Sequence, residues 1–290
     1  MVSVLPSLRR AQYRAAALLQ ALPGLGMISY LRRANVARVQ FLLRLHNQLR
    51  HPRGLEVQEV PCPLCGAESG FRVRYRPFLR SPLKVVVCGG CSLSFLNPMP
   101  TAAFYQRYYN RSYMEGREDN PRTLSYKQQS EAIASFLAPY IPLCRADVPV
   151  ILEIGAAHGT NLIALRERLP TAQLYEDEIN RRWEATYAQH GIRHWEPHLR
   201  ADFVVLAHVL EHFANPIAAA RRVTESLRPG GIVYIEVPHV PRDYGPTVMY
   251  HLTHTMYFSK ETFLAVTAAG GLENVAIAEG EVLRGVFRAA

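Results

Sequence analysis

Two Cys-x-x-Cys pairs, Cys62-Pro63-Leu64-Cys65 and Cys88-Gly89-Gly90-Cys91, are the residues of this chain whose spacing points most directly to chemistry. Each pair sets two sulfurs on one tight turn, and Gly66, Gly89 and Gly90 let the backbone bend so that amides face them. Four thiolates leave no open coordination position. The spacing therefore predicts a structural Zn2+ held by Cys62, Cys65, Cys88 and Cys91, not a catalytic metal. Disulfides are the competing use of these thiols, and the paired spacing disfavours them. Cys144, the fifth cysteine, is expected to be a packed residue.

A second group gathers after residue 149. The apolar run Val150-Ile151-Leu152-Glu153-Ile154 leads into Gly155-Ala156-Ala157-His158-Gly159, then into a helical face of Leu162, Ile163, Leu165 and Leu169. A glycine turn between strand and helix lets a ligand approach the backbone, and the helix N-terminus favours negative charge. The spacing is not Gly-x-Gly-x-x-Gly, so the dinucleotide pyrophosphate turn is absent. Further on, His208, His212, His251 and His254 are candidates for proton transfer. His208-Val209-Leu210-Glu211-His212 also matches the His-x-x-Glu-His of a zinc hydrolase. That chemistry needs both histidines on one helical face, whereas Phe203 to Leu206 runs into His208 as a strand.

These residues need elements to position them. Phe71–Arg76 and Lys84–Val87 are predicted strands between the cysteine pairs, making a zinc ribbon over 57–97. Residues 98–147 are a connector with helical spacing through Leu124, Ile133, Phe136 and Leu137, stopped by Pro139, Pro142 and Pro149. From 148 to 290, buried strands alternate with amphipathic helices, which predicts an α/β fold: a doubly wound, mostly parallel sheet. Ligands of such sheets sit at the carboxyl ends of the strands.

Hydrophobic residues make up 49% of the 290 and charged residues 20%, enough apolar material for a sizeable core. The formal net charge is +9, but residues 1–56 hold nine Arg, no Lys and a single acid, which is +8 of it. The basic character belongs to an N-terminal helical arm over 1–56, and no specific nucleic-acid partner is expected for the body. The arm's apolar stripe suits packing on the body or pairing as a homodimer, with a peripheral membrane contact as the other use of a basic amphipathic helix. With no convincing secretory signal or membrane span, a cytoplasmic protein is expected.

The runs "ILEIGAAHG", "YEDEIN", "DFVVLAHVLEHFANP", "LRPGGIVYIEVP" and "HTMYFSKETF" together resemble class I S-adenosylmethionine-dependent methyltransferases. The upstream "CPLCG" and "CGGCSLSFLNPMP" resemble the zinc segment of a bacterial subgroup that includes sugar C-methyltransferases. The resemblance implies a Rossmann-like domain with S-adenosylmethionine as cofactor. It implies that Gly155, Ala157 and Gly159 approach the methionine part, with Glu153 beneath the turn. Glu176, Asp177 and Glu178 compete for the ribose hydroxyls, and Glu178 is favoured; Ile192 to Trp195 are candidates for the adenine side. His208 and Glu211 would border the methionine and acceptor side, and His254, His208 or His212 would be the general base. The implied acceptor is a small molecule or sugar, methylated on oxygen or carbon. A cofactor-fold scaffold without turnover is the alternative, resting on Ala157 in place of the family's middle glycine.

Overall fold

The computed structural model describes residues 54–77, 81–109, 123–143, 146–240 and 252–290. The predicted arm except its last three residues, 54–56, together with His251 and Cys144, lies outside these residues. In the first part, β1 (Val57–Gln58) pairs with β5 (Met99–Pro100). Between them β2 (Phe71–Tyr75), β3 (Val85–Cys88) and β4 (Ser94–Leu96) form an antiparallel meander, close to the predicted strands. Its fourth strand comes from far along the chain: β11 (Met256–Tyr257) adds antiparallel to β4.

Two helices follow, α1 (Ala102–Arg107) and α2 (Thr123–Leu137). Thr101 caps α1 by accepting from the Phe104 N–H. A 3-10 segment, Ala138–Leu143, carries the chain past Pro139 and Pro142, consistent with prolines that end an α-helix. The large sheet contains β6 (Val150–Ile154), β7 (Gln173–Asp177), β8 (Ile192–His194), β9 (Ala201–Ala207), β10 (Leu227–Pro238), β12 (Leu272–Glu279) and β13 (Val282–Ala289), ordered 12-13-10-9-6-7-8. The run from β8 to β10 is parallel, and β13 is antiparallel to both its neighbours. The expected mostly parallel α/β sheet is present. Helices α3 (Thr160–Arg168), α4 (Glu184–Gln189), α5 (Pro216–Ser226) and α6 (Lys260–Ala269) complete the fold among the described residues.

Alternation along each strand divides the core into two layers, because successive side chains point to opposite faces. Ile151, Phe203, Val205 and Tyr234 pack with Ile133, Leu137, Leu162 and Tyr187 on one face. Leu152, Val204, Leu206 and Ile235 pack with Val223 and Phe263 on the other, in the same cluster as Leu93, Phe95 and Met99. The cysteine-bearing sheet therefore shares a core with the large sheet. Among the described residues, no helix is long and apolar enough to cross a membrane.

Candidate functional site

The turn between β6 and α3 is built on left-handed backbone: φ is +69° at Gly155 and +70° at Gly159. A Cβ on Gly155 would lie 2.6 Å from Val209 Cγ2, and one on Gly159 would meet Ile192 and Tyr187 at 3.0 and 3.2 Å. Glycine is required at both by conformation and by space. Ala157 takes φ +43°, a region that costs an L-residue about 1–2 kcal/mol.

Beneath this turn Glu153 is buried at 2% exposure. Asn161 Nδ2 donates to its Oε1 at 2.6 Å, while its Oε2 has no hydrogen-bond partner among the described residues. Burial pushes its carboxyl up to about 8. Of the three acids at the end of β7, Asp177 pairs with Arg222, and Glu176 accepts from the Glu178 N–H at 2.8 Å and lies 3.0 Å from His194 Nδ1. Glu178 instead faces the turn, where its Oε2 accepts from Ala157 N–H at 3.0 Å and its Oε1 from Asn180 N–H at 2.9 Å. Of the expected adenine-side run, Trp195 is buried edge-on against Tyr175 and His194 is committed to Glu176.

On the other side of the Gly155 turn, β9 ends at Ala207, and the next residue, His208, holds φ +57°. His208 Nε2 lies 3.0 Å from Glu236 Oε1. Glu236 also takes Arg284 Nε at 2.7 Å, Tyr234 OH at 2.8 Å and Gln129 Nε2 at 3.1 Å. Burial opposes charge on both partners, yet His208 and Arg284 hold the Glu236 carboxyl at about 2, and the carboxylates of Glu211 and Glu236 raise His208 to about 9. A cavity of about 470 Å3 lies here, lined by Gln128, Gln129, His208, Glu236, Glu279 and Arg284.

His212 and His254 converge on Glu211 instead. Their Nε2 atoms are 3.9 and 3.8 Å from Glu211 Oε1, and His208 Nδ1 is 3.6 Å away. His212 Nδ1 is 2.8 Å from the Thr253 carbonyl and 3.2 Å from Tyr109 OH. The hydrolase reading of His208-x-x-Glu211-His212 is corrected here. Residues 210–212 form a 3-10 turn after a left-handed His208, so the motif's two histidines do not share a helical face. His254 replaces His208 in the cluster.

The four cysteine sulfurs lie within 4.8 Å of one another, with Cys62–Cys91 at 3.4 Å and Cys65–Cys88 at 3.6 Å. These separations far exceed a disulfide bond of ~2.05 Å and approach the ~3.8 Å edge of a tetrahedron with 2.3 Å zinc–sulfur bonds. The donor set fits Zn2+. Gly89 sits so close to the Gly70 carbonyl that a Cβ would be 2.9 Å from it.

Glu211 stands in the sequence reading at the acceptor side, whereas Glu236 with Arg284, and Gln129, have no place in it. An acid inside the apolar run Ile232–Val237 was the available signal for Glu236; its partners come from β13 and α2, far off in the chain.

Residues 123–277, just over half of the chain, match the model of a family described as a methyltransferase domain. The chain belongs to that family, the class I S-adenosylmethionine-dependent methyltransferases. Among solved structures, the 1,6-didemethyltoxoflavin N1-methyltransferase of Burkholderia thailandensis aligns with a TM-score of 0.53 at 15% identity, covering 77% of this chain and 100% of that one. The mitomycin 7-O-methyltransferase aligns with a TM-score of 0.51 at 15% identity, covering 64% of this chain and 60% of that one. At these identities the likeness is one of fold. No curated protein sequence matches the chain.

Proposed function

We propose that the protein transfers a methyl group from S-adenosylmethionine to a small-molecule acceptor of the sugar or natural-product type. The observation that carries this reading is Glu178 facing the Ala157 N–H across the glycine turn, with the unpartnered Glu153 Oε2 beneath it. Glu178 offers two acceptor oxygens suited to a ribose diol. Glu153 offers a buried carboxylate suited to the ammonium of a methionine moiety, and the left-handed glycines let the backbone come close. When bound, the cofactor supplies an electrophilic sulfonium methyl.

The chain's own residues orient the partners and exclude water, and correct orientation alone contributes up to ~7–11 kcal/mol to such displacements. The acceptor side is the strand end at His208 together with the polar cavity beside it. Gln128, Gln129, Glu236 and Arg284 there favour an acceptor bearing several hydrogen-bonding groups. Its proton leaves at the cluster of Glu211, His212 and His254, the histidines named as bases from the sequence. Two structural neighbours are named for methylation of small molecules, one on oxygen and one on nitrogen, which supports the acceptor class.

Zn2+ held by Cys62, Cys65, Cys88 and Cys91 is structural in this reading. The cysteine-bearing sheet includes β11, which begins two residues after His254, so the ribbon shapes the acceptor side. Calorimetric titration with S-adenosylmethionine and its demethylated product tests the function. Micromolar binding that Glu178→Ala abolishes is the expected result; no binding by the folded wild type overturns it.

A further inference from the structure

Glu211 is 1% exposed, yet neither carboxylate oxygen has a hydrogen-bond partner among the described residues. A buried carboxylate in that state costs several kcal/mol unless a cation meets it. Three imidazole nitrogens lie around Oε1: His208 Nδ1 at 3.6 Å, His254 Nε2 at 3.8 Å and His212 Nε2 at 3.9 Å. These separations are too long for hydrogen bonds. They are near the ~3.4 Å that separates donor atoms bound tetrahedrally to one ion at ~2.1 Å.

The surroundings orient the donors. With the Thr253 carbonyl 2.8 Å from His212 Nδ1, that nitrogen carries the proton and donates it, which leaves the Nε2 lone pair facing Glu211. An imidazole fixed through its far nitrogen is the usual arrangement for a metal ligand. Thr255, next to His254, donates both its N–H and its hydroxyl to the Glu211 carbonyl, so the two segments that carry the donors are locked together. His208, although 3.6 Å from Oε1, is held through its Nε2 by Glu236 at 3.0 Å and is left out of the ligand set. The metal motif in the sequence thus keeps Glu211 and His212 and takes its other histidine from position 254.

We propose that Glu211, His212 and His254 bind a divalent transition-metal ion, distinct from the ion of the cysteine site, at the acceptor end of the cleft. A set of two imidazoles and one carboxylate suits Mn2+, Fe2+, Co2+ or Zn2+. Three protein ligands leave positions for an acceptor oxygen. A hydroxyl held there would lose its proton to water, with His212 and His254 acting as ligands in place of taking the proton themselves, keep the electron pair on oxygen, and become the nucleophile at lower pH than a free hydroxyl. That role rests on the methyl-transfer reading; the binding of the ion does not.

The test uses the full-length, zinc-loaded protein. Mn2+ is the probe because it prefers nitrogen and oxygen donors over four thiolates. Titration followed by electron paramagnetic resonance is expected to show one Mn2+ bound per chain, weakened at least tenfold by Glu211→Gln and by His254→Gln. No stoichiometric Mn2+ binding by the wild type, or binding unchanged in both variants, overturns the proposal. Circular dichroism reports whether each variant folds, and if neither does, the wild-type titration alone decides. S-adenosylhomocysteine binding, measured on the same samples, tests the methyl-transfer reading separately, because none of the three ligands belongs to the cofactor cradle.

Discussion

Thr255 donates its backbone N–H to the carbonyl of Glu211 at 2.8 Å and its hydroxyl to the same oxygen at 3.0 Å. The hydroxyl is also 2.8 Å from the Phe213 carbonyl, and the Thr255 carbonyl accepts from Leu96 N–H at 2.9 Å. One residue therefore ties the loop of His254 to the turn of Glu211 and to the cysteine-bearing sheet. Thr255→Val keeps the shape and removes the hydroxyl, leaving Phe213 O unpaired. We expect a loss of about 1–2 kcal/mol in chemical denaturation and a larger proportional loss in acceptor turnover than in cofactor binding. Equal loss of both would show that the tie acts only on overall stability.

Loss of the cysteine site should be felt beyond the ribbon. Cys88 is fully buried in the cluster that contains Val204 and Ile235. Cys88→Ser is expected to abolish stoichiometric zinc and to cost about 3 kcal/mol or more, read as a fall in Tm of ~6–12 °C. Mass spectrometry of the metal content beside calorimetry checks both effects.

Glu153 makes a prediction in pH. Its carboxyl is pushed from 4.5 to about 8 by burial, so the folded chain binds this proton more tightly than the unfolded chain. Its contribution to stability is fully present below pH 4.5 and is lost as pH rises through 8. A cationic methionine group bound beside it favours the carboxylate, so cofactor binding at pH 7 should release a proton. Calorimetry in buffers of different ionisation enthalpy measures that release, and Glu153→Gln should abolish it.

Two substitutions in the glycine turn should act in opposite directions. Gly155→Ala puts a methyl 2.6 Å from Val209 at φ +69° and is expected to destabilise by about 2–4 kcal/mol. Ala157→Gly relieves left-handed backbone at φ +43° and should tighten S-adenosylhomocysteine by several-fold. Unchanged affinity in the glycine variant would show that the Ala157 methyl does not impede the cofactor.

Arg284→Met should uncover what holds the strand end. It removes the 2.7 Å partner of a carboxylate that is 1% exposed, while His208, Tyr234 and Gln129 remain. The expected cost is about 2–3 kcal/mol, short of the ~3–5 kcal/mol for stripping a buried charge of its only partner. Urea denaturation measures it. A cost near zero would mean that the remaining donors hold Glu236 unaided.

Much of the fold was legible because its signals are local. The apolar run at β6, broken by Glu153 alone, the positive-φ glycines after it and the Cys-x-x-Cys turns each act over a few residues, and each lies where the spacing implied. Glu178 was favoured among three neighbouring acids, and it is the one facing the turn, while Asp177 and Glu176 serve Arg222 and His194. Within the run 192–195, Trp195 packs against Tyr175 and His194 pairs with Glu176.

By itself the sequence determined the alternating α/β order, the cysteine pairs and the strand–turn–helix at 150–168, because hydrophobic period and turn chemistry are properties of short segments. The tertiary structure decided which histidines meet. His208 and His212 are four positions apart and both approach Glu211, but of the two His208 also reaches Glu236, since a left-handed residue and a 3-10 turn separate them. His254 reaches Glu211 because β11 is stitched to the cysteine-bearing sheet, and Glu236 is tolerated in the core because Arg284 from the last strand, His208, Tyr234 and Gln129 all converge on it. Contacts between segments 40 or more residues apart are set by register and packing, which no local pattern encodes.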